Sequence, residues 1–202
     1  MQKLFNEIVN QNNSQQNVYY EARNKKSEIT QYINENLAQM QSLDYCIEDH
    51  FDALEFSAVL EENLPNHADN GSKNSFMQDI QMISELFFNL THSKKIKIKL
   101  EVVTTDKCRF FHVDHIKQRL LCTYNGPGTE WLDNTNVNRN ALGKGKNFKV
   151  VKDFSKVRKA NMFDLLLLRG ERFHEDCRGA VHRSPSIKSS QVSRVILKID
   201  EL

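Results

Sequence analysis

The feature that most limits what this chain can become is a change of texture near residue 96. Before it, apolar residues recur at helical spacing. After it, they come in short runs of β-formers separated by turn residues. Residues 96–103 alternate, 108–113 are rich in β-formers, and 119–124 form another short run. Asn125-Gly126-Pro127-Gly128 is a strong turn signal, from which 129–132 can return as a strand. Residues 133–146 read as a loop, and 148–154, 163–168, 179–182 and 192–199 supply four more strand candidates. Leu165-Leu166-Leu167-Leu168, closed by Arg169-Gly170, fits a buried strand better than a helix. Short strands joined by turns predict a barrel or jelly roll rather than an alternating βαβ sheet.

The first half predicts helices over about 27–42, 44–63 and 75–92. Ile29, Ile33, Leu37 and Met40 make the stripe of the first; Pro65 stops the second. In the third, Ser75 and Gln78 have capping-box spacing, and Phe76, Ile80, Ile83, Phe87 and Leu90 share a face. The expected organisation is a helical segment over 1–93 packed on a β-rich core over 94–202, as one α+β unit. The polar tract at 10–17 reads as a loop or frayed end.

Charge and cysteine usage narrow the function classes. The formal net charge is +2, which gives no reason to expect nucleic acid as a partner. The lysines at 94, 95, 97 and 99 alternate with Ile96 and Ile98, the pattern of a strand with one wet face. No secretory signal and no 18-residue apolar run is present, so neither export nor a membrane span is expected. Cys46, Cys108, Cys122 and Cys177 lack CxxC spacing, which predicts a reduced, cytoplasmic protein without a zinc knuckle.

Phe111-His112-Val113-Asp114 carries the chemistry. On an extended strand, side chains two residues apart project from one face, so His112 and Asp114 would point together. His182 follows seventy residues later on a strand candidate. Two imidazoles and a carboxylate can occupy one triangular face of an octahedral iron(II) ion and leave three positions open. Arg194 lies twelve residues past His182 and, on the last strand, could return beside it to bind a carboxylate bidentately.

The order HxD, distal His, then Arg resembles that of the iron(II)/2-oxoglutarate-dependent dioxygenases, whose fold is the double-stranded β-helix, a jelly-roll or cupin-like barrel. The resemblance covers 96–202 and rests on four residues. It implies His112, Asp114 and His182 as iron ligands and Arg194 as the anchor of the distal carboxylate of 2-oxoglutarate. Ser184 and Tyr124 would add hydroxyls to that subsite. The runs Cys108-Arg109-Phe110-Phe111-His112-Val113-Asp114, Leu121 to Trp131 and Val181-His182-Arg183-Ser184-Pro185 also resemble a bacterial domain-of-unknown-function family, over most of the chain. That family is associated with gene neighbourhoods responding to zinc limitation. Two readings follow: an oxygenase of a small-molecule or protein substrate, or a non-oxygenase metal-binding protein of the same fold holding zinc.

Other candidates have simpler explanations. His67-Ala68-Asp69 is a second HxD, in a loop. His115 would face away from Asp114, and His174-Glu175-Asp176-Cys177 reads as a charged loop. Trp131 reads as core and Glu130 as a surface carboxylate or one bracing a metal ligand. Cys108 and Cys122 read as small buried hydrophobes. No GxSxG elbow supports Ser-His-Asp hydrolysis, and Gly143-Lys144-Gly145 lacks phosphate-loop spacing.

Overall fold

Nine strands and four α-helices are arranged in layers in a computed structural model that describes residues 16–66, 70–188 and 192–202. His67-Ala68-Asp69 and most of the 10–17 tract lie outside those residues. The strands are β1 (Val18–Glu21), β2 (Leu43–Glu48), β3 (Lys95–Val103), β4 (Gln118–Asn125), β5 (Glu130–Leu132), β6 (Arg158–Lys159), β7 (Leu165–Arg169), β8 (Val181–Arg183) and β9 (Arg194–Glu201). The helices are α1 (Ser27–Asn36), α2 (Ala53–Asn63), α3 (Asn70–Thr91) and the single-turn α4 (Asn147–Val150).

Six strands form one sheet, in the order β1-β7-β4-β9-β3-β2, and every recorded pairing in it is antiparallel. Three form a smaller antiparallel sheet, β6-β5-β8. The period-two alternation of β4 divides its neighbours between two apolar layers. Leu120, Cys122 and Tyr124 join Phe76, Ile80, Ile83 and Phe87 in the core beneath the helices. Leu121 faces the other way and joins Ile196 of β9, Leu166 of β7 and Trp131 of β5 between the two sheets. The architecture is therefore mixed α/β, with helices on one face of the large sheet and the small sheet on the other.

Two parts of the helical first half are strands. Residues 43–48 pair with β3, so the expected 44–63 helix begins only at Ala53, where Asp52 caps it. One Asp52 oxygen accepts from the Leu54 and Glu55 amides at 2.9 and 3.0 Å, worth about 1 kcal/mol. β1 has no counterpart among the expected elements, and it edges the large sheet against β7. α3 begins at Asn70, so Ser75 is inside it and caps nothing. The lysine face of β3 is as expected, with Lys97 and Lys99 each 3.1 Å from Asp44 on β2. Residues 108–113 and 148–154 are not strands; the second stretch is α4, a single bridge residue and part of a 3-10 turn. No helix among the described residues is long and apolar enough to cross a membrane.

Candidate metal centre

His112 and His182 are brought together by backbone pairing rather than by a shared strand. Each amide donates to the other's carbonyl at 3.0 Å, an isolated antiparallel bridge that adds His112 to the edge of β8. The two rings lie with centroids 4.5 Å apart. Asp114 follows in irregular backbone, its carbonyl accepting from the Glu171 amide at 3.0 Å. The strand expected to hold HxD is absent, and this one bridge replaces it.

The ring contacts fix which nitrogen is available. His112 Nδ1 is 2.8 Å from the Phe110 carbonyl, and His182 Nδ1 is 3.1 Å from that of Ala180. A carbonyl accepts only, so both Nδ1 atoms carry the proton and both Nε2 lone pairs are free to bind. His182 Nε2 is 3.2 Å from Asp114 Oδ2, and His112 Nε2 is 3.7 Å from Asp114 Oδ1. The three ligand atoms lie within 4.8 Å of one another. Ligands in adjacent positions about an ion at roughly 2.1 Å stand roughly 3 Å apart, so the three ligand atoms would draw together around an ion. Burial and the neighbouring His182 hold the His112 imidazole below its ordinary range, which favours the neutral, ligating form. Burial would raise the Asp114 carboxyl, but the hydrogen bond and charge that His182 offers when its ring is doubly protonated, together with the permanent charge of Arg119, hold it well below the usual range.

Arg119, which sequence reasoning missed, braces the carboxylate. Its Nε and Nη2 clamp Asp200 at 2.5 and 2.8 Å, leaving Nη1 to donate to Asp114 Oδ2. Asp114 thereby presents Oδ1 to a metal while Oδ2 is held. Both faces of β4 are buried, so its sequence gives little sign of which residues look inward.

Beside the triad is a cavity of about 160 Å³, whose lining includes His112, His182, Arg119, Thr129, Ser184 and Arg194. Arg194 is 2% exposed and stands on β9 in the large sheet, facing β8 across the cavity rather than pairing with it. Its Nη1 donates to Ser184 Oγ at 2.9 Å, and Nη2 lies 3.4 Å from the hydroxyls of Thr123 and Thr129. Its Nε has no partner, and no carboxylate is within ion-pair distance among the described residues. Burial pushes the guanidinium down to about 10. Glu101 in the cavity lining acts on the guanidinium from beyond ion-pair distance and is itself paired with Lys198 at 2.9 Å. A buried cation hydrogen-bonded only by neutral hydroxyls, beside free imidazole nitrogens, is built to receive an anion.

Tyr124 is a correction. It points to the opposite side of β4, where its hydroxyl donates to Asp79 at 2.8 Å in the core, away from the cavity. Cys108 is exposed at the cavity rim, not buried. Cys122 is buried as expected, and Trp131 is core. Glu130 is paired with Arg183 at 2.7 Å. His115 is exposed and paired with Glu171; His174 faces Asp176 on the surface.

The fold resembles that of solved structures, one of them a dioxygenase. The chain is similar to TqaL, described as an Fe(II)/(alpha)ketoglutarate-dependent dioxygenase, with 11% identity over 98% of this chain and 87% of that one and a TM-score of 0.51. It is similar also to a full-length Neurospora crassa protein solved in complex with alpha-KG and 5-formyluracil, at 9% identity, 98% and 77% coverage and TM-score 0.50. At such identities the likeness speaks of fold alone. By sequence, the chain belongs to the family described as a protein of unknown function, DUF1826, whose family model matches residues 5–200. A comparison with curated protein sequences gives no match.

Proposed function

We propose that this protein is an iron(II)/2-oxoglutarate-dependent oxygenase, its two facing sheets being the halves of a double-stranded β-helix. The single observation that carries the reading is Arg194, a buried guanidinium without a carboxylate partner, beside three convergent metal-ligand side chains. The donor set fits a hard divalent ion, with two neutral imidazoles and one ionised carboxylate. His112, Asp114 and His182 would hold it on one face and leave the cavity side open. Iron with 2-oxoglutarate supplies oxidation by dioxygen, decarboxylating the 2-oxo acid to succinate and inserting one oxygen atom into a C–H bond.

The chain's own residues supply binding and orientation. Arg194 would take the distal carboxylate of 2-oxoglutarate through its guanidinium, with the Ser184 hydroxyl that now accepts from Nη1 beside it. Arg119 keeps Asp114 from turning and taking up a second coordination position. Leu121 and Ile196 wall the cavity and limit water around the reacting centre. The small volume suits a dicarboxylate, and the primary substrate would approach at the rim formed by Lys107 and Cys108.

Addition of iron(II) and 2-oxoglutarate to anaerobic apoprotein should produce a weak visible charge-transfer band, and air should then yield succinate. Arg194→Ala should lose the band while retaining metal. The same donors suit zinc, so protein that keeps zinc and ignores 2-oxoglutarate would transfer the site to a metal-binding role without oxygenase activity.

A further inference from the structure

The overall charge of +2 conceals a strong segregation. Residues 139–159 carry eight basic side chains and a single carboxylate, Asp153. Ala141, Val150 and Val151 from this stretch pack with Leu132 and Val181 of the small sheet, fastening it over that sheet's outer face. The outward side carries the charge. Lys144, Lys146 and Lys149 are exposed, and none is in an ion pair among the described residues. Asp153 is engaged by Lys156 at 3.4 Å.

Two large aromatic side chains interrupt these lysines without being covered. Phe148 is 66% exposed and Phe154 53%. A lone exposed aromatic is ordinary, but two within seven residues, interleaved with unpaired lysines, combine a stacking surface with a cationic one. The Gly143-Lys144-Gly145 turn adds access. Both glycines have left-handed φ, +74° and +65°, and a methyl group on either would meet nothing within 4 Å. A phosphodiester could therefore approach that backbone closely.

The surface is tied to the metal centre. Asn147, which opens α4, accepts from the Phe111 amide at 2.8 Å and donates to the Arg109 carbonyl at 3.0 Å. Arg109 lies 4.8 Å over the Phe110 ring, itself 41% exposed, two residues before His112. The basic, aromatic surface and the segment bearing the HxD motif are thus hydrogen-bonded together.

We infer that this surface docks single-stranded nucleic acid, its lysines on the phosphates and Phe148 and Phe154 stacked on bases. A duplex would hide its base faces and need an element able to enter a groove, and α4 is only one turn long. An anionic bilayer would need a sustained amphipathic helix, which this irregular stretch lacks. That the docked strand is what the metal centre oxidises rests on the oxygenase reading; the docking itself does not.

The test is fluorescence anisotropy with labelled DNA and RNA strands of about 15 nucleotides, long enough to span such a face. Binding should weaken with salt at a log–log slope of about −2, as three phosphate contacts on a single strand require. Phe148→Ala and Phe154→Ala should each weaken it about fivefold or more, and Lys144→Glu/Lys146→Glu/Lys149→Glu should abolish it. All three changes lie on the surface, so circular dichroism and metal content should be unaltered. Measured separately, 2-oxoglutarate binding should survive them, which keeps failure of docking distinct from failure of the oxygenase reading. Phenylalanine variants that bind as tightly as the parent would overturn the inference. So would a duplex, polyglutamate or phosphatidylserine vesicles binding as well as the single strand does.

Discussion

A guanidinium taken out of water loses hydration worth several kcal/mol, and at position 194 only hydroxyls replace it. Replacing it with an apolar chain of similar length should relieve that cost. Arg194→Met is expected to raise the melting temperature of protein without co-substrate by about 2–4 °C, equivalent to roughly 1 kcal/mol for a chain this size. 2-Oxoglutarate should then raise the melting temperature of the parent and leave the variant's unchanged. A variant that melts lower at equal metal content would show that the hydroxyl contacts outweigh desolvation. Asp79 is the opposite case, a buried charge fully partnered by Arg23 at 2.6 Å, Lys26 at 2.9 Å and the Tyr124 hydroxyl. Burial would raise its carboxyl, but Arg23 above all holds it below the ordinary value of 3.8. The unfolded chain therefore takes up this proton first. The stabilisation is complete above that value and is lost as pH falls through the lower folded one. Asp79→Asn should cost about 3 kcal/mol at neutral pH, with the difference from the parent shrinking below about pH 4 in denaturant titrations.

Elements are legible in the sequence where one periodicity is strong and one face dry. The stripe of α3 and the alternation of β3 give both correctly. β1 and β2 are not legible, because Tyr19 is the only fully buried residue of the first, and the second runs into a helical stripe beginning past Phe51. The HxD motif is found as a pattern but expected on the wrong backbone, since β-formers at 108–113 serve a bridge of one residue pair. What positions that irregular segment is a close approach that sequence does not announce. A Cβ on Gly170 would sit 2.2 Å from the Ile116 carbonyl oxygen and 2.8 Å from that of Asp114. The next amide, of Glu171, donates to Asp114. Gly170→Ala must push the Asp114 segment away from β7, at about 1–3 kcal/mol for such overpacking. Metal affinity should fall with it by tenfold or more, as measured by competition with a chelator. Loss of stability with unchanged affinity would mean that the segment moves without carrying Asp114.

At the scale of the whole molecule, a boundary near residue 93 divides textures rather than cores. β2 pairs along its whole length with β3, and β1 pairs with β7 at the opposite edge, so the first half supplies both margins of the large sheet. Its helices also cover the face on which Leu120, Cys122, Leu165, Leu167, Leu197 and Ile199 are buried. Residues 94–202 alone would expose that face and leave β3 and β7 as raw edges, the condition that drives strand aggregation. We therefore propose one cooperative unit. The single tryptophan, Trp131, is in the small sheet, whereas most helical signal comes from the first half. Tryptophan fluorescence and far-ultraviolet circular dichroism thus watch opposite ends of the fold, and in urea they should give coincident transitions. The 94–202 fragment should be insoluble or lack a cooperative transition. Separated midpoints, with the fragment folding and binding metal, would restore the two-part organisation and make the helical layer an appendage of the metal centre rather than part of its support.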